Sequence, residues 1–204
     1  GLNIPGWGVY SGVAVFDVDK DNDIDIVEVS WNGTTMNTRI LKNNGKSQFT
    51  VSQDLNDVGG AVGVADFDND GDVDFIASSL FKNDGNGIFT PQASPGAPYY
   101  SQQYYDAYNY VAVADIDKSN GKDFMYAYFP TAMLNNGDAT FLQCSLPGLY
   151  KYNYDTKTYY AFYPYEAGDI DGDGDSDLIG PAYSGNYSWN NNLTLSVAFN
   201  NLIK

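Results

Sequence analysis

The chain of 204 residues contains no histidine. That removes the commonest general base, the Ser–His and Cys–His nucleophile systems, and the usual protein ligand of zinc. Cysteine occurs once, at Cys144, so no disulfide can form within the chain, and the residue reads as a small core residue of a strand. Lysine and arginine together number ten, with Arg39 the single arginine, and they form no cluster. Nucleic acid is therefore a poor partner. No apolar run approaches the roughly 18 residues that a membrane-spanning helix needs, which argues against membrane insertion. No amphipathic helical pattern and no signal-peptide pattern stand out. A chain opening on Gly1 rather than Met fits a processed or trimmed protein.

What the chain has is acid, and the acid is local. The formal charge is −16, and eighteen of the 26 acidic residues fall in four nonapeptides. These read DVDKDNDID (17–25), DFDNDGDVD (66–74), DIDKSNGKD (115–123) and DIDGDGDSD (169–177). Their first aspartates are 49, 49 and 54 residues apart, a period that marks a repeat architecture. Oxygen-bearing side chains at alternate positions of a tight loop are how a chain gathers hard ligands around Ca²⁺.

The expected ligands are Asp17, Asp19, Asp21, Asp23 and Asp25 in the first loop, and Asp66, Asp68, Asp70, Asp72 and Asp74 in the second. The third offers Asp115, Asp117, Ser119, Gly121 and Asp123, and the fourth Asp169, Asp171, Asp173, Asp175 and Asp177. The first, third, fifth and ninth positions would give side-chain oxygens and the seventh its backbone carbonyl. Gly71 permits the sharp turn. Ser119 replaces a charged ligand, so three strong sites and one weaker third site are expected. The alternative is a solvated acidic turn without metal. Repulsion among five like charges within nine residues opposes it. An EF-hand needs a bidentate Glu at the twelfth position and flanking helices. Glu28 sits there in the first loop, but Ala77, Tyr126 and Gly180 hold that position elsewhere.

Short apolar runs flank each loop, such as Val62-Gly63-Val64-Ala65 before the second and Phe75-Ile76-Ala77 after it. They read as strands. A third strand ends at an Asn-rich turn, at Asn43-Asn44-Gly45, Asn83-Asp84-Gly85 and Asn135-Asn136-Gly137, and a fourth carries Phe49, Phe89 or Phe141. Four antiparallel strands per repeat of about 50 residues are the signature of β-propeller blades. The pattern of apolar strand, D-x-D-x-D-G-x-x-D, apolar strand and N-x-G turn followed by Phe resembles the FG-GAP/VCBS family, the calcium-loop repeats of integrin α-chains and some fungal lectins. The resemblance covers nearly the whole chain. Asn22 departs from it where Gly is usual, as do Ser119 and Asn120 where Asp and Gly are usual.

The expectation is an all-β, single-domain propeller of four blades over residues 1–204, with repeats near 6–54, 55–97, 104–146 and 160–204. Residues 1–5 would complete the last blade, whose outer strand is missing. Residues 2–4 would then pair beside Leu195 to Phe199. A two-chain ring of eight blades, a filament in which each N-terminus completes a neighbour, and a piece of a larger ring remain open.

Tyrosine occurs 18 times, and 13 copies lie in two stretches, 99–110 and 150–165, read as connections between blades. With Trp7, Trp31 and Trp189 they would form an aromatic face opposite a calcium face. Tyr105, Tyr108, Tyr154 and Tyr160 join the tryptophans as candidate ligand contacts, because amphipathic rings suit a surface that is partly dry and still hydrogen-bonds. Packing as a cap and a subunit interface are the competing readings. Glu28 and Glu166 are the notable strand acids outside the loops, and nothing in the sequence pairs them for glycoside hydrolysis. Asn32, Asn186 and Asn192 fit the N-glycosylation pattern.

The functional expectation is a secreted or cell-surface calcium-binding recognition or adhesion module without chemistry of its own. Carbohydrate is the expected ligand class, since the resemblance extends to lectins and polysaccharide-degrading enzymes. The alternatives are a self-associating surface or filament protein, and a polysaccharide lyase or its accessory domain.

Overall fold

The computed structural model describes residues 9–31, 33–92, 110–119, 121–126, 131–146, 148–174, 176–186 and 192–198. The chain divides into two compact units, Gly1–Asn109 and Tyr110–Lys204. The described residues form strands and turns without a helix, and four antiparallel sheets follow one another along the chain. The all-β expectation is met. The segment expected at the edge of the last blade, residues 1–5, lies outside the described residues.

In the first unit, β1 (Val9–Phe16), β2 (Asp25–Trp31), β3 (Met36–Asn43) and β4 (Phe49–Asn56) form one sheet in sequential order. β5 (Gly63–Ala65), β6 (Asp74–Ile76), β7 (Leu80–Asn83) and β8 (Phe89–Gln92) form the next. The two sheets share a core of Val18, Val27, Ile40, Phe75, Phe81 and Phe89. Phe75 stacks on Phe81 at 4.7 Å between centroids, and Phe89 closes on Phe75 at 4.9 Å. Phe89, after the second N-x-G turn, is thus a core residue, and Phe141 after the third is buried, whereas Phe49 after the first is half-buried. Within the first sheet, Glu28 faces Arg39 across β2 and β3, and the two form a buried ion pair. One of the two strand acids is therefore committed to structure.

The second unit opens with β9 (Val111–Ala114), β10 (Asp123–Tyr126), β11 (Thr131–Asn135) and β12 (Phe141–Ser145), again in sequential order. Cys144 lies half-buried in β12, against a core that includes Ala112, Met125, Phe162 and Leu178. The last sheet contains β13 (Tyr150–Asn153), β14 (Thr158–Phe162), β15 (Glu166–Gly168), β16 (Asp177–Asn186) and β17 (Asn192–Ala198). β14 and β15 pair along the same edge of β16 and β17 pairs along the other. The N–H groups of Tyr163 and Tyr165 continue the ladder to Pro181 and Ile179, so β14 and β15 are two halves of one strand interrupted at Pro164. A Cβ on Gly180 would sit 1.8 Å from the Tyr163 carbonyl oxygen, so only glycine permits this approach.

One reading changes. The stretch 150–165 was expected as a connection, yet it holds the hairpin β13–β14, in which β13 is added beside the β14 half of the β14–β15 strand. Tyr150, Tyr152 and Tyr154 recur with period two, and tyrosine favours strands. The turn between the strands is fixed by Asn153, whose side-chain oxygen accepts the N–H groups of Asp155 and Thr156 at 3.0 and 3.1 Å.

Candidate metal centres

Each acidic loop joins two adjacent antiparallel strands, β1–β2, β5–β6, β9–β10 and β15–β16, and each is built largely from its own side chains. In the first loop the Asp17 carboxylate accepts the N–H groups of Asp21 and Asn22 at 3.2 and 2.8 Å. In the second, Asp66 accepts those of Asp70 and Gly71 at 3.1 and 2.9 Å. In the fourth, Asp169 accepts those of Gly172 and Gly174 at 2.7 and 3.1 Å. An aspartate that folds the backbone over itself competes with extended structure and so makes the turn. Gly71 has φ of +90°, and Asn22 takes the same left-handed region at +71°, so its departure from glycine is accommodated. The fourth position is left-handed as well, at Lys20, Asn69, Lys118 and Gly172. That feature was not foreseen, and Gly172 was its signal in the sequence.

The ninth aspartate fixes the loop to the sheet. Asp25, Asp74, Asp123 and Asp177 are all buried. One oxygen accepts the N–H of the second loop residue, at 2.9 Å from Val18, 3.1 Å from Phe67, 2.6 Å from Ile116 and 2.9 Å from Ile170. In the first three loops the other oxygen accepts the N–H of the Asn that ends the third strand, at 2.7 Å from Asn43, 2.9 Å from Asn83 and 2.7 Å from Asn135. The Asn side chain then donates to the carbonyl of the eighth loop residue, Ile24, Val73 or Lys122. These three asparagines are site residues that the sequence reading treated only as turn formers. Burial pushes the carboxyls of Asp74 and Asp123 up to about 6, against the lowering effect of their N–H donors. Asp25 is raised for the same reason.

The loops bring aspartate triads together. Asp17, Asp19 and Asp25 each offer an oxygen within 4.8 Å of the others, as do Asp66, Asp68 and Asp70, Asp115, Asp117 and Asp123, and Asp169, Asp171 and Asp177. In the second loop Asp70 takes the place that the ninth aspartate has in the other three. The carboxylates of Asp21, Asp23, Asp72, Asp74 and Asp173 are not gathered into these triads. Asp72 instead pairs through its side chain with Lys20 of the first loop. Asp175 lies outside the described residues.

The donor set fits a hard divalent cation. Oδ1 of Asp19, of Asp68 and of Asp115 is buried without a hydrogen-bond partner, and the Asp68 side chain is only 8% exposed. A buried carboxylate oxygen left unpaired is costly, and a cation among three such groups satisfies it. Oxygen-only ligation suits Ca²⁺ or Mg²⁺ in preference to softer metals. Two lysines also reach in. Lys42 lies 3.0 Å from Asp19 Oδ2, and Lys82 pairs with Asp68 Oδ2. Hydrogen bonding to Asp68 holds the Lys82 ammonium above its ordinary pKa. Both lie in the third strand of their sheet, directly before the anchoring Asn.

Of the aromatic candidates, Trp7, Tyr105, Tyr108 and Trp189 lie outside the described residues. Trp31 ends β2 opposite Met36 and is half-buried. Tyr154 and Tyr160 belong to the added hairpin and are 84% and 38% exposed. Thr158 pairs with Asn186 at one end of β16, while Gly168, the last residue before the fourth loop, pairs with Asp177 at the other. The Tyr154 turn and the fourth acidic loop therefore stand at opposite ends of a ten-residue strand, about 30 Å apart. Comparison of the sequence with protein-family models and with curated proteins finds no match.

Proposed function

We propose that this chain is a calcium-stabilised β-propeller that acts by binding, that its four sheets are the blades, and that its ligand is carbohydrate. The observation that carries the calcium reading is the aspartate triad repeated in four loops, with buried carboxylate oxygens in three of them that lack a partner. Low-affinity oxygen sites of this kind suit the millimolar calcium outside cells, which supports a secreted or cell-surface protein. Four successive antiparallel sheets, three of four strands and the last of five, with acidic loops at a period of about 50 residues, support the propeller. The resemblance to calcium-loop propeller repeats points the same way.

The binding reading rests on the hairpin β13–β14. Tyr150, Tyr154 and Tyr160 are exposed on a hydrogen-bonded scaffold, and Tyr152 packs edge-on against Tyr154 at 4.8 Å. Rigid exposed rings with hydroxyl handles suit stacking on a sugar face. A glycan array probed in calcium tests this. Sugar-inhibitable binding that Tyr154→Ala and Tyr160→Ala abolish, with the melting temperature unchanged, is the expected result. No sugar-inhibitable binding across the array would overturn it.

A second reading, self-assembly, is favoured by β17. Among the described residues its only strand partner is β16, and Leu195 on it is 81% exposed. An unpaired edge recruits another strand, and the N-terminal segment of a neighbouring copy would fill it. Large particles in light scattering without any ligand would favour this reading over the lectin.

A further inference from the structure

The four loops share one sequence pattern, yet the aspartate at the third loop position is held in two different ways. In the third and fourth loops it turns inward. Asp117 Oδ1 accepts the N–H of Ser119 at 2.9 Å, and Asp171 Oδ1 accepts that of Asp173 at 3.2 Å. In the first and second loops one oxygen of Asp19 or Asp68 meets a lysine ammonium while the other stays buried without a hydrogen-bond partner. The lysine comes from the same place each time, the residue before the anchoring Asn. Leu134 holds that place in the third repeat, and Phe199 holds it in the sequence of the fourth.

We propose that Lys42 and Lys82 are built-in competitors for the cation, making the first and second loops weaker calcium sites that stay assembled without metal, and leaving the fourth loop as the tightest site. This rests on the calcium reading above. An ammonium a few Å from a dication repels it, and it also occupies an oxygen the dication would use. Either effect at half-buried groups exceeds about tenfold in affinity. Without metal, the same ammonium offsets the repulsion among the loop aspartates. Lys42 has a second acceptor in the Asn86 carbonyl, so it keeps a partner when a cation takes Asp19. The fourth loop combines five aspartates with no lysine at the corresponding position. This ranking reorders the sequence expectation, which counted ligand charges alone and placed only the third loop below the rest.

The test is a calcium titration of the isotope-labelled full chain, reading the amide signals of Gly71 in the second loop and Gly174 in the fourth. Lys82→Met keeps the apolar stem and removes the charge. It should raise calcium affinity at Gly71 by about tenfold or more, leave Gly174 unchanged, and lower the melting temperature in chelator. Calcium bound at Gly71 with wild-type or weaker affinity overturns the inference and leaves the calcium reading standing. No shift at either glycine in millimolar calcium overturns both. Should Lys82→Met not fold, Lys42→Met read at the Asn22 amide decides by the same criteria.

Discussion

The acidic loops of the first unit and those of the second solve one electrostatic problem in two ways. In the first unit, lysines from outside the nonapeptide grip the aspartate at the third loop position, and Lys20 reaches from one loop to Asp72 of the next. In the second unit the aspartate at the third loop position is turned back onto nearby backbone. The second loop residue does not follow this division. Ile116 of the second unit is buried like Val18 and Phe67 of the first, whereas Ile170 is 46% exposed. The nonapeptide therefore specifies a turn and a set of oxygens. The surroundings decide how much of the charge is already balanced before a metal arrives. Loops with an internal cation are expected to depend less on calcium than loops without one.

The largest effect should not distinguish the units at all. The ninth aspartate serves the same two N–H groups in both, so Asp74→Ala and Asp123→Ala leave equivalent buried donors unpaired. Each should lose about 4 kcal/mol in chemical denaturation with chelator present. A large cost for one and a small cost for the other would mean that the shared lattice is not shared.

Arg39→Met comes next and should touch the first unit alone. It strands Glu28, buried opposite it, at a cost of about 3 kcal/mol. Adding Glu28→Leu should recover most of the loss. Failure of the double variant to recover would show that the pair contributes more than mutual neutralisation.

Calcium removal is the direct test of the comparison. Calcium that binds only the folded form stabilises it by about 2.7 kcal/mol per site at 100 times the dissociation constant. Excess chelator should raise hydrogen exchange at Ile116 and Ile170 before Val18 and Phe67. Simultaneous loss of protection in both units would break the comparison. A melting curve unchanged by chelator would remove calcium from the account.

The smallest effect is on pH. Burial raises Asp74 and Asp123 from an ordinary value of 3.8 to about 6. The metal-free folded state then binds more protons than the unfolded one between these values. This contribution to stability is fully present below 3.8 and is lost as pH rises through about 6. In chelator the melting temperature should fall between about pH 4 and pH 6, by a similar amount from each unit. In excess calcium the fall should vanish, because protons then compete with the metal. A rise in chelator over the same range would contradict the burial of these carboxylates.

Much of the site was legible because its bonds are short in sequence. The turn made by Asp66 on Asp70 and Gly71 spans four and five residues, and the bond from Phe67 to Asp74 spans seven. The anchoring asparagines were not legible as anchors. The spacing from ninth aspartate to Asn is 18, 9 and 12 residues in the first three repeats, because the hairpin between them changes length. A contact with no constant offset leaves no motif. The hairpin β13–β14 was missed for a different reason. Its period-two tyrosines carry a strand signal, but the repeat pattern assigns that stretch to a connection.

The sequence by itself determined the all-β class, the spacing of the four acidic turns and the strands that carry Phe49, Phe89 and Phe141 after the N-x-G turns. Those follow from alternation, turn chemistry and side-chain bonds to nearby backbone, which need no distant partner. Only the tertiary structure decided which aspartates meet within 4.8 Å, which carboxylate oxygens are left buried without a partner, and which lysines reach them. It also decided that Arg39 neutralises Glu28 and that tyrosines stand exposed on an added hairpin. These depend on strand register and on the packing of one sheet against the next, where residues far apart in the chain come within reach of one another.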